Sequence, residues 1–189
     1  MTAPAPSTRQ RLMSTAVESF RRHSVAGTSL QMISDELGLT KSAIYHHFRT
    51  RDELLEAILE PVMGDLEQLV GTAEAARGPR AQADSMLTGF VALAVAHRAL
   101  IPVLTGDPGV GDFLRSRPDW SAVVQRQLAL LAGVEPGMGG QVKAAVVMAG
   151  ISAAVGVDYP EAGADLTRLR DELVTAGRRT LGLRSPRAA

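Results

Sequence analysis

Residues 28–48 read TSLQMISDELGLTKSAIYHHF, and the rest of the chain is organised around this stretch. Leu30, Ile33 and Leu37 recur at helical spacing, and Thr28 with Gln31 forms a capping-box signature ahead of them. Gly38 supplies the permissive backbone that stops a helix. Thr40 then suits the N-cap of a second helix, whose Ile44 and Phe48 share one face. The opposite face carries Lys41, Ser42, Tyr45 and His46, side chains that donate, accept or stack. Such chemistry suits phosphates and base edges. Two short helices around a tight turn, with that face outward, are the grammar of a helix-turn-helix.

Upstream, Ser7 and Gln10 form a second capping box, opening a helix with Leu12, Ala16 and Phe20 on one face. Arg21, Arg22 and His23 suit its C-terminal end, and Ala26-Gly27 breaks it. This helix completes a three-helix head over residues 1–50, with 1–6 as a disordered tail. Downstream, Thr50 and Glu53 make a third box, and a long helix runs from there through Leu69, with Pro61 predicting a kink or break near Ala57. Further helices are expected at 81–104, 112–116, 120–131, 141–157 and 165–181. They are separated by the loop 71–80, by GDPGVG at 106–111, by GVEPGMGG at 133–140 and by a turn at 158–160. The tail after Gly182 is polar and basic. No alternating strand pattern survives, so the chain reads as all-α with about nine helices.

Composition bounds the function. The chain has 189 residues, 46% hydrophobic and 21% charged, enough to bury a sizeable core. It contains no cysteine, which rules out disulfides and thiolate metal sites and fits a reducing compartment. The N-terminus has no signal-peptide run, and the most apolar stretch, 144–157, is too short to span a bilayer. A cytoplasmic protein without a membrane partner is expected. Net charge is zero, yet residues 1–51 hold seven basic side chains against three acidic ones, leaving the remainder acidic. A basic head on an acidic body fits a molecule that touches DNA at one end. Catalysis finds no support: there is no GxSxG, P-loop, dinucleotide fingerprint or pair of histidines at metal spacing. Neither a cofactor nor a metal is implied. No helix is basic and amphipathic enough to act at a membrane surface.

The last two long helices differ from the others. Ala145, Ala149 and Ala153 belong to a nearly smooth helix that a neighbour can approach closely, and Leu166, Leu169 and Leu173 form an apolar stripe on the next. Two such helices from each of two subunits would build a four-helix interface.

Residues 27–55, GTSLQMISDELGLTKSAIYHHFRTRDELL, resemble the N-terminal DNA-binding domain of the tetracycline-repressor (TetR) family. The match is close at Gly38, Lys41, Ser42, Ile44, Tyr45, His47 and Phe48, and in the Arg-Asp-Glu-Leu-Leu run; with the preceding helix it covers about the first 60 residues. The resemblance implies a homodimer that binds a palindromic double-stranded operator, usually represses transcription, and is released by a small-molecule effector. It implies a ligand-binding and dimerisation domain over 51–189. By position, Thr28 and Thr40 mark the starts of the two helices, Thr28 meeting phosphate through its cap. Lys41, Ser42 and Ala43 take base-reading places, with Tyr45, His46 and His47 on base edges or phosphates and Arg51 on phosphate. Lys41 can donate to guanine, and Ala43 can touch a thymine methyl. An activator or a corepressor-dependent regulator with the same head is the alternative. In the body, Met86, Phe90, His97, Phe113, Trp120 and Met148 are the candidates for lining a cavity, favouring an apolar or aromatic ligand.

Overall fold

Capping chemistry sets the boundaries of the N-terminal helices. In the computed structural model, which describes residues 5–159 and 165–183, α1 (Thr8–Gly27) opens as the spacing predicts. The Ser7 hydroxyl accepts from the Gln10 amide at 3.2 Å, and the Gln10 side chain accepts from the Ser7 amide at 2.8 Å. α2 (Leu30–Glu36) is capped by Ser29, whose hydroxyl accepts from the Met32 amide at 3.1 Å. The expected Thr28 cap is therefore displaced by one residue. Thr28 instead closes α1: its side chain is buried and donates back to the Ser24 carbonyl at 2.8 Å.

Gly38 takes the left-handed φ of +64° that ends α2, and the Leu39 amide returns to the Ser34 carbonyl. Thr40 caps α3 (Lys41–His47) by accepting from the Ala43 amide. α4 (Arg51–Glu74) begins where Thr50 accepts from the Glu53 amide and the Glu53 carboxylate accepts from the Arg49 amide. The break expected near Ala57 does not occur, and α4 is one helix through Pro61. Ala57, Ile58, Leu59, Val62 and Met63 around the proline are all buried, so packing holds the helix where one backbone bond is missing.

The body comprises α5 (Pro79–Ala96), α6 (Ile101–Gly106), α7 (Pro108–Arg115), α8 (Pro118–Ala132), α9 (Met138–Ala154) and α10 (Leu166–Leu181). That gives ten helices, with no strand, among the described residues. The extra one arises because the helix expected over 81–104 stops at Ala96. His97 leaves helical geometry at φ −108°, ψ 30°, and Pro102 sits in the first turn of α6, where no amide donor is needed. α7 starts earlier than expected for the same reason. Asp107 accepts from the Gly109 amide at 2.8 Å, and Pro108 opens the helix. The turn expected at 158–160 reaches beyond the described residues at Pro160, as do most of the tails placed at 1–6 and after 182.

One continuous apolar cluster runs from Leu12 in α1 to Leu181 in α10. In the head it is built on Leu12, Ile33, Ile44 and Phe48; in the body α4 and α8 pack on α5, and α9 and α10 close over them. Gly140 permits the tight α8–α9 turn, because a Cβ there would lie 2.0 Å from the Glu135 carbonyl oxygen. Arginine–carboxylate pairs fasten the body's periphery: Arg117 to Glu56, Arg126 to Glu74, and Arg178 to Asp84 at 2.6 Å. The head is thus placed on the end of α4 by a shared core.

Candidate nucleic-acid interface

α3 presents two opposite faces. Ile44 and the following Phe48 are buried, while Lys41, Ser42, Tyr45 and His46 are exposed and Ala43 and His47 half-buried. The division is the one the spacing predicts. Lys41 lies 5.7 Å from the Tyr45 ring centre one turn on, so its ammonium is steered along the helix surface. His46 and His47 meet edge to face at 5.3 Å and diverge, which suits two separate contacts and no shared metal. No cluster able to hold a metal occurs among the described residues.

A groove of about 440 Å³ runs beside α3, lined by Gly27, Ser29, Lys41, Tyr45, Arg49 and Arg51, among others. Its charge is less evenly spread than the head's composition implies. Arg21 pairs with Glu18, and Arg22 pairs with Glu36 at 2.6 Å. Arg22, aided by Ser19, holds the Glu36 carboxyl below the usual carboxylate range and ties α1 to α2. The head cations outside ion pairs among the described residues are Arg9, Arg11, Lys41, Arg49 and Arg51. Arg9 stacks on the Phe48 ring at 4.8 Å. Arg51 is partly engaged already: its guanidinium donates to the Val25 and Ala26 carbonyls at 3.0 and 3.2 Å, and its Nε is buried without a partner. Sequence reading missed Ser29 and Arg49; Arg49 follows the α3 core residue Phe48 directly, a signal that was present.

In the body the sequence candidates scatter. Met86 and Phe90 are packed into the core of α5. Phe113 meets Trp120 at 6.0 Å with the Arg117 guanidinium against both rings. Met148 lies on α9, its sulfur 3.1 Å from the Gln127 amide nitrogen. His97 caps α5, stands 3.6 Å from Asp65, and edges a separate cleft of about 520 Å³ shared with α1. Gln127 was overlooked although it falls in register with buried Val123 and Leu131 on α8; Ser152, equally buried on α9, has a hydroxyl without a partner.

The candidate dimer residues divide more sharply. Ala145, Ala149 and Ala153 are exposed along α9, joined by Val142 and Val146, each more than half exposed. On α10 Leu166 is exposed, Leu169 half-buried and Leu173 buried in the chain's own core, so Leu173 does not belong to an outward stripe. No described helix is long and apolar enough to cross a membrane.

Residues 12–58, spanning the core of α1 through the first turns of α4, match the family model described as bacterial regulatory proteins, tetR family. An Escherichia coli protein named "Probable acrEF/envCD operon repressor" is 32% identical over 107 residues, covering 54% of this chain and 49% of that one. An HTH-type transcriptional regulator of Mycobacterium tuberculosis is 32% identical over 146 residues, covering 68% and 60%. The chain thus spans about half the length of the first relative and less than two thirds of the second. Its whole architecture is similar to a solved TetR-family regulator from Streptomyces coelicolor, with a TM-score of 0.71 at 22% identity over 97% of this chain and 94% of that one. The relatives are named as regulators, not enzymes. Capped short helices, the two-faced α3 and these likenesses converge: residues 12–58 form a head of the tetR family of bacterial regulatory proteins, and the whole chain shares the fold of a solved member.

Proposed function

We propose that the protein is a sequence-specific transcriptional regulator, a homodimer that represses by occupying an inverted-repeat operator. The observation that carries this is the exposed donor face of α3 on a buried Ile44–Phe48 back. α3 enters the major groove. Lys41 donates to a guanine edge, Ser42 and Ala43 lie against neighbouring bases, and Tyr45, His46 and His47 reach base edges or the backbone. Arg49 and Arg51 meet phosphates, Arg51 while holding two carbonyls, and Ser29 supports the phosphate contact at the start of α2 from its cap. Residues 1–50 act as the reading head, and 51–189 as the dimerisation and ligand-binding body.

The apolar face of α9 supplies the contact between copies, with Leu166 and Leu169 of α10 beside it. Two heads then stand about 34–36 Å apart, one turn of B-DNA. A small apolar or aromatic effector releases the operator by binding better to a spacing of the heads that DNA does not accept. The buried amide of Gln127 beside Met148, with the unpartnered Ser152 hydroxyl, supports a polar anchor within the apolar body.

Selection of bound duplexes from a random pool, repeated across salt concentrations, tests the reading. Enrichment of an inverted repeat is the expected result. Recovery of no preferred sequence at low salt would overturn it.

A further inference from the structure

Ser24 interrupts α1 at φ +64°, ψ 165°, the only positive-φ residue other than glycine among the described residues. That region is nearly exclusive to glycine, and a serine stays there only when its surroundings hold it. Local bonds do part of this work: the Ser24 carbonyl accepts from the Thr28 hydroxyl, and its own hydroxyl accepts from the Gly27 amide at 3.1 Å. The next residue, Val25, is held from two distant elements. Its amide donates to Asp107 Oδ2 at 2.5 Å, across 82 positions of sequence. Its carbonyl accepts from Arg51 at 3.0 Å. The other Asp107 oxygen accepts from Gly109 and caps α7.

A single residue is therefore bonded through its N–H to the α6–α7 corner and through its C=O to the first residue of α4. Arg51 in turn borders the groove beside α3. On the far side a crevice of about 330 Å³, lined by Phe20, Ser24, Val103 and Asp107 among others, adjoins the same joint. We propose that Asp107 is the positioning residue through which the α6–α7 corner sets the orientation of the head, by clamping the strained Ser24–Val25 joint. With the clamp made, Ser24 is kept in its unfavourable backbone state and Arg51 is aligned. With it released, Ser24 relaxes, the Val25 amide turns to solvent, and the head loses its fixed angle to the body. The consequence for operator affinity rests on the DNA-binding reading; the clamp itself does not.

The decisive variant is Asp107→Ser. Serine caps a helix about as well as aspartate, so α7 keeps its start, but the shorter side chain withdraws from the Val25 amide. Because the chain contains no cysteine, spin labels can be placed through Met32→Cys on α2 and Gln125→Cys on α8, both exposed, in full-length chain diluted with unlabelled copies. With Asp107 intact, electron–electron distance measurements should give one narrow head-to-body distance. Asp107→Ser should broaden it and make the Val25 amide exchange about 10- to 100-fold faster, the loss expected for one charge-assisted hydrogen bond. Adding Ser24→Gly, which removes the strain, should narrow the distribution again, a rescue that a cap with no role at the joint would not show. Should Asp107→Ser fail to fold, Asp107→Thr, which also caps a helix but is too short to reach the Val25 amide, is read in the same way. Unchanged width and unchanged Val25 exchange would overturn the proposal. Neither readout uses DNA, so a failed operator selection and a failed clamp are separate results.

Discussion

Two helices, α3 and α9, leave a face uncovered, and the two faces are chemically opposite. α3 exposes Lys41, Ser42, Tyr45 and His46, while α9 exposes Val142, Ala145, Val146, Ala149 and Ala153. Each is backed by the same kind of burial, Ile44 on α3 and Ala144, Val147 and Ile151 on α9. The difference therefore lies in what each outward face can bind. A polar face in contact with water loses nothing and stays available to phosphates and base edges. An apolar face of such length favours association, and small side chains let a second helix come close. On the proposed reading, one chain thus carries a surface for nucleic acid on α3 and a surface for its own copy on α9.

The largest effect should come from putting a charge on the apolar face. Ala149→Arg buries an unpaired guanidinium in the proposed contact, so sedimentation should give a monomer and operator affinity should fall about 10²- to 10⁴-fold as two-headed binding is lost. On the polar face, Lys41→Ala should cost about 1–3 kcal/mol per half-site and relax base preference at one position, as read by repeated sequence selection. Its dimerisation should be untouched, which keeps the two faces separate. The two arginines near α3 sharpen the contrast within the head. Arg51→Ala should lower stability by about 1.5–3 kcal/mol, because charged donors to two carbonyls are lost. Arg49→Ala should leave the melting temperature unchanged and reduce the salt slope of binding by about 1.

The smallest effect concerns pH. Arg22 lowers the Glu36 carboxyl below its ordinary value of 4.5, so the stabilisation is present above that value and fades as pH falls through the depressed one. Glu36→Gln should therefore melt slightly earlier than wild type at neutral pH, and the gap should close in acid.

Sequence made the head legible because its boundaries are local. Ser7 with Gln10, Gly38, Thr40 and Thr50 act within four residues of themselves, and each appears where its spacing placed it. The one slip, Thr28 for Ser29, came from two adjacent hydroxyls competing for one cap, decided by the carbonyl of Ser24 to which Thr28 folds back. In the body, Pro102 was passed over inside an expected helix and Pro108 was read within a breaker, whereas each lies in the first turn of a helix, and the break that Pro61 allowed is overridden by buried neighbours. Long-range contacts left no local mark. Nothing near Arg51 points to Val25, and nothing near Asp107 points 82 residues back. Leu173 matched its stripe by period, but period does not say whether a face meets the chain's own core or another copy's. The surroundings of Met86, Phe90, Phe113 and Trp120 were illegible for the same reason, since composition names apolar side chains without placing them.

On the proposed reading, α3 engages DNA only as one of a pair joined through α9. The mass of the complex on a single selected operator duplex, measured in solution by light scattering, tests it most directly. Two chains per duplex are expected for the wild type, and no stable two-chain complex for Ala149→Arg. One wild-type chain per duplex, or two chains retained by Ala149→Arg, would contradict it.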